Sequence, residues 1–144
     1  MARRLIPDIV SEQTLASTAP DTTVRAAVEI MAARSVGAIL VIKGGQLVSI
    51  FSERDLALRV VAPGLDPNTV RLTEVATPDP QTIQADATPR QALRLMQRGH
   101  FRHLPITDHK GTVLGIVSLG DLYHSVTRSL EDDLVEMSHH ILAG

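Results

Sequence analysis

The chain repeats itself, and this duplication limits the folds open to it more than any other feature. VSIFSERDL at Val48–Leu56 returns as LGIVSLGDL at Leu114–Leu122. An offset of 65 residues aligns Asp21 with Asp86, Thr23 with Thr88, Ala27 with Ala92 and Met31 with Met96. After one inserted residue, an offset of 66 aligns Gly45 with Gly111, Ile50 with Ile116, Ser52 with Ser118, Asp55 with Asp121 and Leu56 with Leu122. The matches keep one order with a single gap, which marks two like structural units in tandem.

Periodicity describes each unit. In the first, Thr23 is an N-cap, and Val24, Ala27, Val28 and Met31 follow at helical spacing to Ala33. The apolar run Ala38–Ile42 predicts a buried strand, Lys43–Gln46 a turn and Leu47–Phe51 the hairpin partner. Ser52 then caps a helix to about Ala62, stopped by Pro63 and Gly64. In the second, Thr88 caps with Pro89 at the favoured first helical position, and Ala92, Leu93 and Met96 form the apolar face. His103–Thr107 and Val113–Val117 are its hairpin strands. Thr14–Thr18 and Gln81–Gln84 are short candidate strands ahead of each first helix, and Leu65–Val75, with Pro67 and Asn68, reads as a connecting loop. The expected fold class is α/β (α+β): two β-α-β-β-α repeats related by pseudo-two-fold symmetry, plus a C-terminal helix. The units span 8–68, 69–126 and 127–144.

Two segments look outward. The helix after Ser52 carries LALRVV, apolar almost all round, which implies burial or contact beyond the unit. After Tyr123, Leu130, Leu134, Met137 and Ile141 form a stripe while Glu131, Asp132 and Asp133 stay polar. That stripe packs either on its own domain or on a partner. Together the two segments favour a two-fold homodimer.

Several function classes are disfavoured. A net charge of −2 argues against general nucleic-acid binding, and Phe51, Phe101 and Tyr123 are too few rings for base stacking. Without cysteine there is no disulfide framework or thiolate site. Pro7 and Asp8 break the segment after Arg3 and Arg4, and no segment has membrane-spanning length, so a cytoplasmic protein off the membrane is expected. His139 and His140 are adjacent and point about 100° apart on a helix, so no metal is expected. No phosphate loop, carboxylate cluster or activated nucleophile suggests an enzyme.

What stands out chemically is the pair of strand-to-helix junctions. Ser52 with Asp55, and Ser118 with Asp121, stand three residues apart. Such pairs serve as capping boxes, and helix starts of this kind also receive anions. Both readings stand on the residues alone.

SERDL, SLGDL and the R-H-L-P of Arg102–Pro105 resemble the motifs of tandem cystathionine beta-synthase-type (CBS) domains, the Bateman module. The resemblance covers about residues 8 to 144 and extends to bacterial stand-alone CBS-pair proteins. It implies a regulatory, energy-sensing module that binds AMP, ADP, ATP, NAD or S-adenosylmethionine between the repeats and requires no cofactor. It also implies an unidentified regulated protein as partner. By the same resemblance, Asp55 and Asp121 hold ribose hydroxyls, Ser52 and Ser118 contact ribose or phosphate, and Arg102 and His103 meet the phosphate of the ligand seated at Asp55. Arg54 and Thr77 join that site, while Ile39, Leu40, Leu104 and Pro105 flank the base. Gly37 and Ala38 stand where the second repeat has Arg102 and His103, so the Asp121 site is expected to be weaker, empty or open to a less charged ligand. The chain departs from the family pattern at Ser49, Gly120 and Ala76. The alternative function is a structural or partner-binding dimer with empty clefts.

Overall fold

The computed structural model of the protein describes residues 3–11 and 14–143, apart from the side chains of Val126, Ser129 and residues 139–143. Ile141 of the stripe therefore lies outside the described side chains. The first unit comprises β1 (Ser17–Thr18), α1 (Val24–Arg34), β2 (Ala38–Lys43), β3 (Gln46–Ser52) and α2 (Glu53–Asp55). Leu56–Val61 continues α2 in wider π-helical turns. A linking helix α3 (Leu72–Val75) and strand β4 (Thr77–Pro78) follow. The second unit comprises β5 (Ile83–Gln84), α4 (Pro89–Gly99), β6 (His103–Thr107), β7 (Val113–Ser118) and α5 (Leu119–Ala143). This mixed α+β architecture is the expected class.

Local chemistry explains the elements. Thr23 and Thr88 accept from the N–H groups of Ala26 and Gln91, satisfying helix donors that would otherwise be unpaired. Helices α1 and α4 both end on a left-handed residue, Ser35 (φ 54°) and His100 (φ 56°). There the chain turns back so that the next amide reaches the last turn, Val36 N–H to Met31 O and Phe101 N–H to Met96 O. The extended α2 stops as Gly64 N–H bonds Val61 O and Leu65 N–H bonds Val60 O, with Gly64 at φ 78°.

Two small sheets result, ordered β1-β2-β3-β4 and β5-β6-β7. Each hairpin is antiparallel, and each carries a register irregularity at an equivalent place, between Val41 and Ile42 and between Ile106 and Thr107. Side-chain alternation gives β2 two apolar faces. Ile39 and Val41 join Val24, Ala27, Met31 and Phe51 in the first core. Ala38 and Leu40 face the other way, with Ile50, against Val113 and Ile116 of the second unit. That shared layer joins the two repeats.

The cores also exchange segments. Leu5, fully buried, lies in the core of the second unit with Ala92, Met96, Leu104 and Leu122, and its N–H bonds Ala87 O. Leu72 and Val75 complete the first core, with Leu72 N–H on Thr22 O. The first repeat is thus closed by α3, outside the expected 8–68, and the second by the Leu5–Ile9 turn from the other end of the chain. The connector expected as a loop contains α3 and leads into β4, which pairs with β3.

The outward segments are exposed. Leu58 and Val61 of the α2 extension, and Leu130, Leu134 and Met137 of α5, all stand in solvent, so the described stripe does not pack on its own domain. Among the described residues no helix is long and apolar enough to cross a membrane.

Candidate functional site

Both helix starts are capping boxes, and one also borders a cleft. Ser52 N–H and Ser52 Oγ donate to Asp55 Oδ2 at 3.0 and 3.2 Å, and Asp55 N–H donates to Ser52 Oγ at 3.3 Å. Thr77 Oγ1 donates to Asp55 Oδ1 at 3.1 Å, and Arg59 Nε stands 3.7 Å from the same oxygen. Asp55 is 8% exposed, yet it lines a cleft of about 830 Å³ between the repeats. Each carboxylate oxygen offers two lone pairs, and the Ser52 and Thr77 hydroxyls are rotors that can re-aim their protons. A diol entering the cleft can therefore take over acceptor capacity without moving the backbone.

The other wall comes from the second repeat. The left-handed turn at His100 delivers Arg102 and His103 to the start of β6, where Leu119 N–H fixes Arg102 O at 2.8 Å and His103 lies opposite Ser118. Arg54 crosses between the repeats, donating from Nη1 to His100 O at 2.9 Å. Burial pushes the His103 imidazole below its ordinary pKa and outweighs Glu53 and Asp121, which pull it up; Arg102 adds to the lowering. Thus Ser52, Arg54, Asp55, Thr77, Arg102 and His103 line one cleft.

The remaining sequence-derived positions lie elsewhere. Ile39 sits in the core on the helix side of its sheet, and Leu104 in the second core. Pro105 is fully buried opposite Ile116, and Leu40 lies in the layer between the sheets. The apolar wall of the cleft instead uses Ile50, Leu58, Pro80 and Phe101. Sequence reasoning missed these, and also Arg59 and Asp79. Arg59 had a readable signal, four residues beyond Asp55 and hence on the same helical face. Asp79 had none, because its left-handed φ of 47° arises only from how the chain leaves β4.

Ser118 and Asp121 are not part of this cleft. Asp121 Oδ2 accepts Ser118 N–H at 2.9 Å, and its own N–H donates to Ser118 Oγ at 3.0 Å. Asp121 is exposed and borders a wider cavity of about 1050 Å³ against the N-terminal segment, with Arg3, Arg4 and Arg128 opposed by Asp8 and Asp132. Arg3 Nη1 donates to Ser125 Oγ there at 2.8 Å. The low charge expected from Gly37 and Ala38 is therefore only part of the picture, since cations arrive from the chain start and from α5.

Comparison with known families settles the lineage. The CBS domain model matches twice, at residues 7–62 and 72–128. The chain belongs to the CBS domain family. It is a CBS pair, the architecture of a regulatory module. It is 36% identical over 121 residues to the CBS domain-containing protein YhcV of Bacillus subtilis, covering 81% of each. A CBS-domain containing protein of Agrobacterium tumefaciens superposes with a TM-score of 0.78 at 27% identity, over 87% of this chain and 94% of that one. A CBS domain protein of Pyrobaculum aerophilum, solved in complex with AMP, shares the fold with a TM-score of 0.73 at 24% identity, over 83% and 89% of the chains. Other curated relatives are larger, and the matched regions span 15%, 62% and 22% of three of them.

Proposed function

We propose that this CBS pair is a cytoplasmic regulatory module that binds an adenine nucleotide, or another phosphorylated adenosyl compound, in the cleft holding Asp55. The observation that carries this reading is convergence across the repeats. The carboxylate of Asp55 and the hydroxyls of Ser52 and Thr77 meet Arg54, Arg102 and His103 in one space of about 830 Å³. A carboxylate suits a ribose diol, and an Arg fork suits phosphate. The AMP complex of the Pyrobaculum relative supports the choice of ligand class. Because the acid belongs to one repeat and Arg102 to the other, a bridging ligand biases the angle between repeats and so the outer surface.

Thermal unfolding with AMP, ADP, ATP, NAD and S-adenosylmethionine tests this. A ligand present at a hundred times its dissociation constant is expected to add about 2.7 kcal/mol of stability and to raise the melting temperature. No shift with any of the five rejects the reading.

A second reading rests on a separate observation, the exposed apolar residues of the α2 extension and α5. Leu58, Val61, Leu130, Leu134 and Met137 fit a surface covered in a homodimer, through which a regulated protein would be reached. Leu134→Lys is expected to shift the chain toward monomer in sedimentation; an unchanged mass distribution counts against that surface.

A further inference from the structure

An acid from one repeat and an imidazole from the other meet at Gly37. A Cβ built on Gly37 would stand 2.9 Å from Glu53 Oε1 and 3.2 Å from His103 Nε2, so both side chains rest against the same bare Cα. Glu53 N–H donates to Gly37 O at 3.0 Å, which fixes the start of α2 beneath that contact. The charged groups around His103 are Glu53 of α2, Asp121 of α5 and Arg102, the residue before it in the chain. Arg54, Asp55 and Arg59 line the same cleft from α2 and its extension, with Asp79 from the segment after β4 and a second imidazole, His100, from the end of α4. The half-buried imidazole is held below its ordinary pKa, chiefly by burial. At neutral pH it is therefore mostly uncharged, with the Glu53 carboxylate beside it.

We propose, taking the nucleotide reading above as given, that Glu53 and His103 make phosphate capture in this cleft proton-linked. The ligand phosphate pairs with His103 where the imidazole now only shares the Gly37 contact with the Glu53 carboxylate, and a proton from solvent enters with it. The direction follows from charge. A bound phosphate favours imidazolium, so the bound state holds more proton than the free state, and affinity rises as pH falls between the two His103 pKa values. Above that window His103 is neutral in both states and adds no charge to offset the Glu53 carboxylate.

Two measurements test the link. Proton NMR of the His103 ring follows its titration with and without saturating AMP, and calorimetry follows AMP affinity from about pH 8 to pH 5 for the wild type, His103→Gln and Glu53→Gln. Free AMP itself titrates near pH 6, a contribution common to every variant, and the ring NMR separates it from the titration of His103. AMP is expected to raise the His103 pKa by about one unit, so the wild type gains about tenfold more affinity than His103→Gln across the range. Glu53→Gln is expected to bind AMP severalfold tighter at pH 8. Bound AMP that leaves the His103 titration unmoved, or parallel wild-type and His103→Gln profiles, overturns the proton link and leaves nucleotide binding standing. Absence of binding by AMP, ADP, ATP, NAD and S-adenosylmethionine at every pH defeats both.

Discussion

Leu5→Ala is expected to destabilise the chain by about 2–5 kcal/mol, although it lies five residues from the chain start. Leu5 is fully buried among Ile83, Ala92, Met96, Leu104, Ile106, Val117 and Leu122, none of them near it in sequence. Two backbone bonds, Leu5 N–H to Ala87 O at 2.9 Å and Ile6 N–H to Ala85 O at 3.1 Å, hold the segment in place, so the core cannot simply close over the lost methyl groups. Leu72 occupies the equivalent place in the first core, bonded to Thr22 O. Leu72→Ala is therefore expected to cost a similar amount, and urea unfolding of the two variants measures both. A change below about 0.5 kcal/mol for Leu5→Ala, the range of an ordinary surface substitution, shows the N-terminal turn to be a loose tail rather than part of the second repeat.

Much of this architecture was legible because repeated chemistry repeats geometry. Thr23 and Thr88, Ser52 and Ser118, and the strands between them took their expected places, each through a local signal within a few residues. What escaped was set at long range. Leu72–Val75 is one helical turn, too short for a period, and forms because Leu72 and Val75 fill the first core. The destination of Leu5 was invisible for the same reason. The candidate site divides likewise. Asp55, Thr77, Arg54, Arg102 and His103 converge because they flank strand ends, where side chains meet a cleft, whereas Asp121 borders the other cavity. Ile39 failed to join them because a run such as Ala38–Ile42 announces burial without saying which face is which. Ile39 turned toward α1, Leu40 toward the partner sheet, and Ile50 of β3 reached the cleft. Residues Ser35 and His100 in left-handed conformation gave no signal either, since neither is glycine.

Asp55→Asn should separate binding from folding most sharply. The carboxylate accepts three hydrogen bonds, from Ser52 N–H, Ser52 Oγ and Thr77 Oγ1, and lies 3.7 Å from Arg59 Nε. An amide of the same shape must turn its NH2 toward at least one of these donors, so a stability loss of about 1–2 kcal/mol is expected, comparable to a lost cap. The effect on a nucleotide is larger. Charge-assisted hydrogen bonds contribute about 1.5–3 kcal/mol each, and a ribose diol makes two with the carboxylate, so affinity is expected to fall at least tenfold to a hundredfold. Asp121→Asn is the natural control. That carboxylate is exposed, accepts Ser118 N–H and has no place in the cleft lined by Arg102, so binding at the Asp55 site should survive. Calorimetry on both variants, at a temperature where each remains folded, gives the comparison. Equal affinity in Asp55→Asn and the wild type would leave Asp55 as a cap alone, in a cleft that does not read ribose.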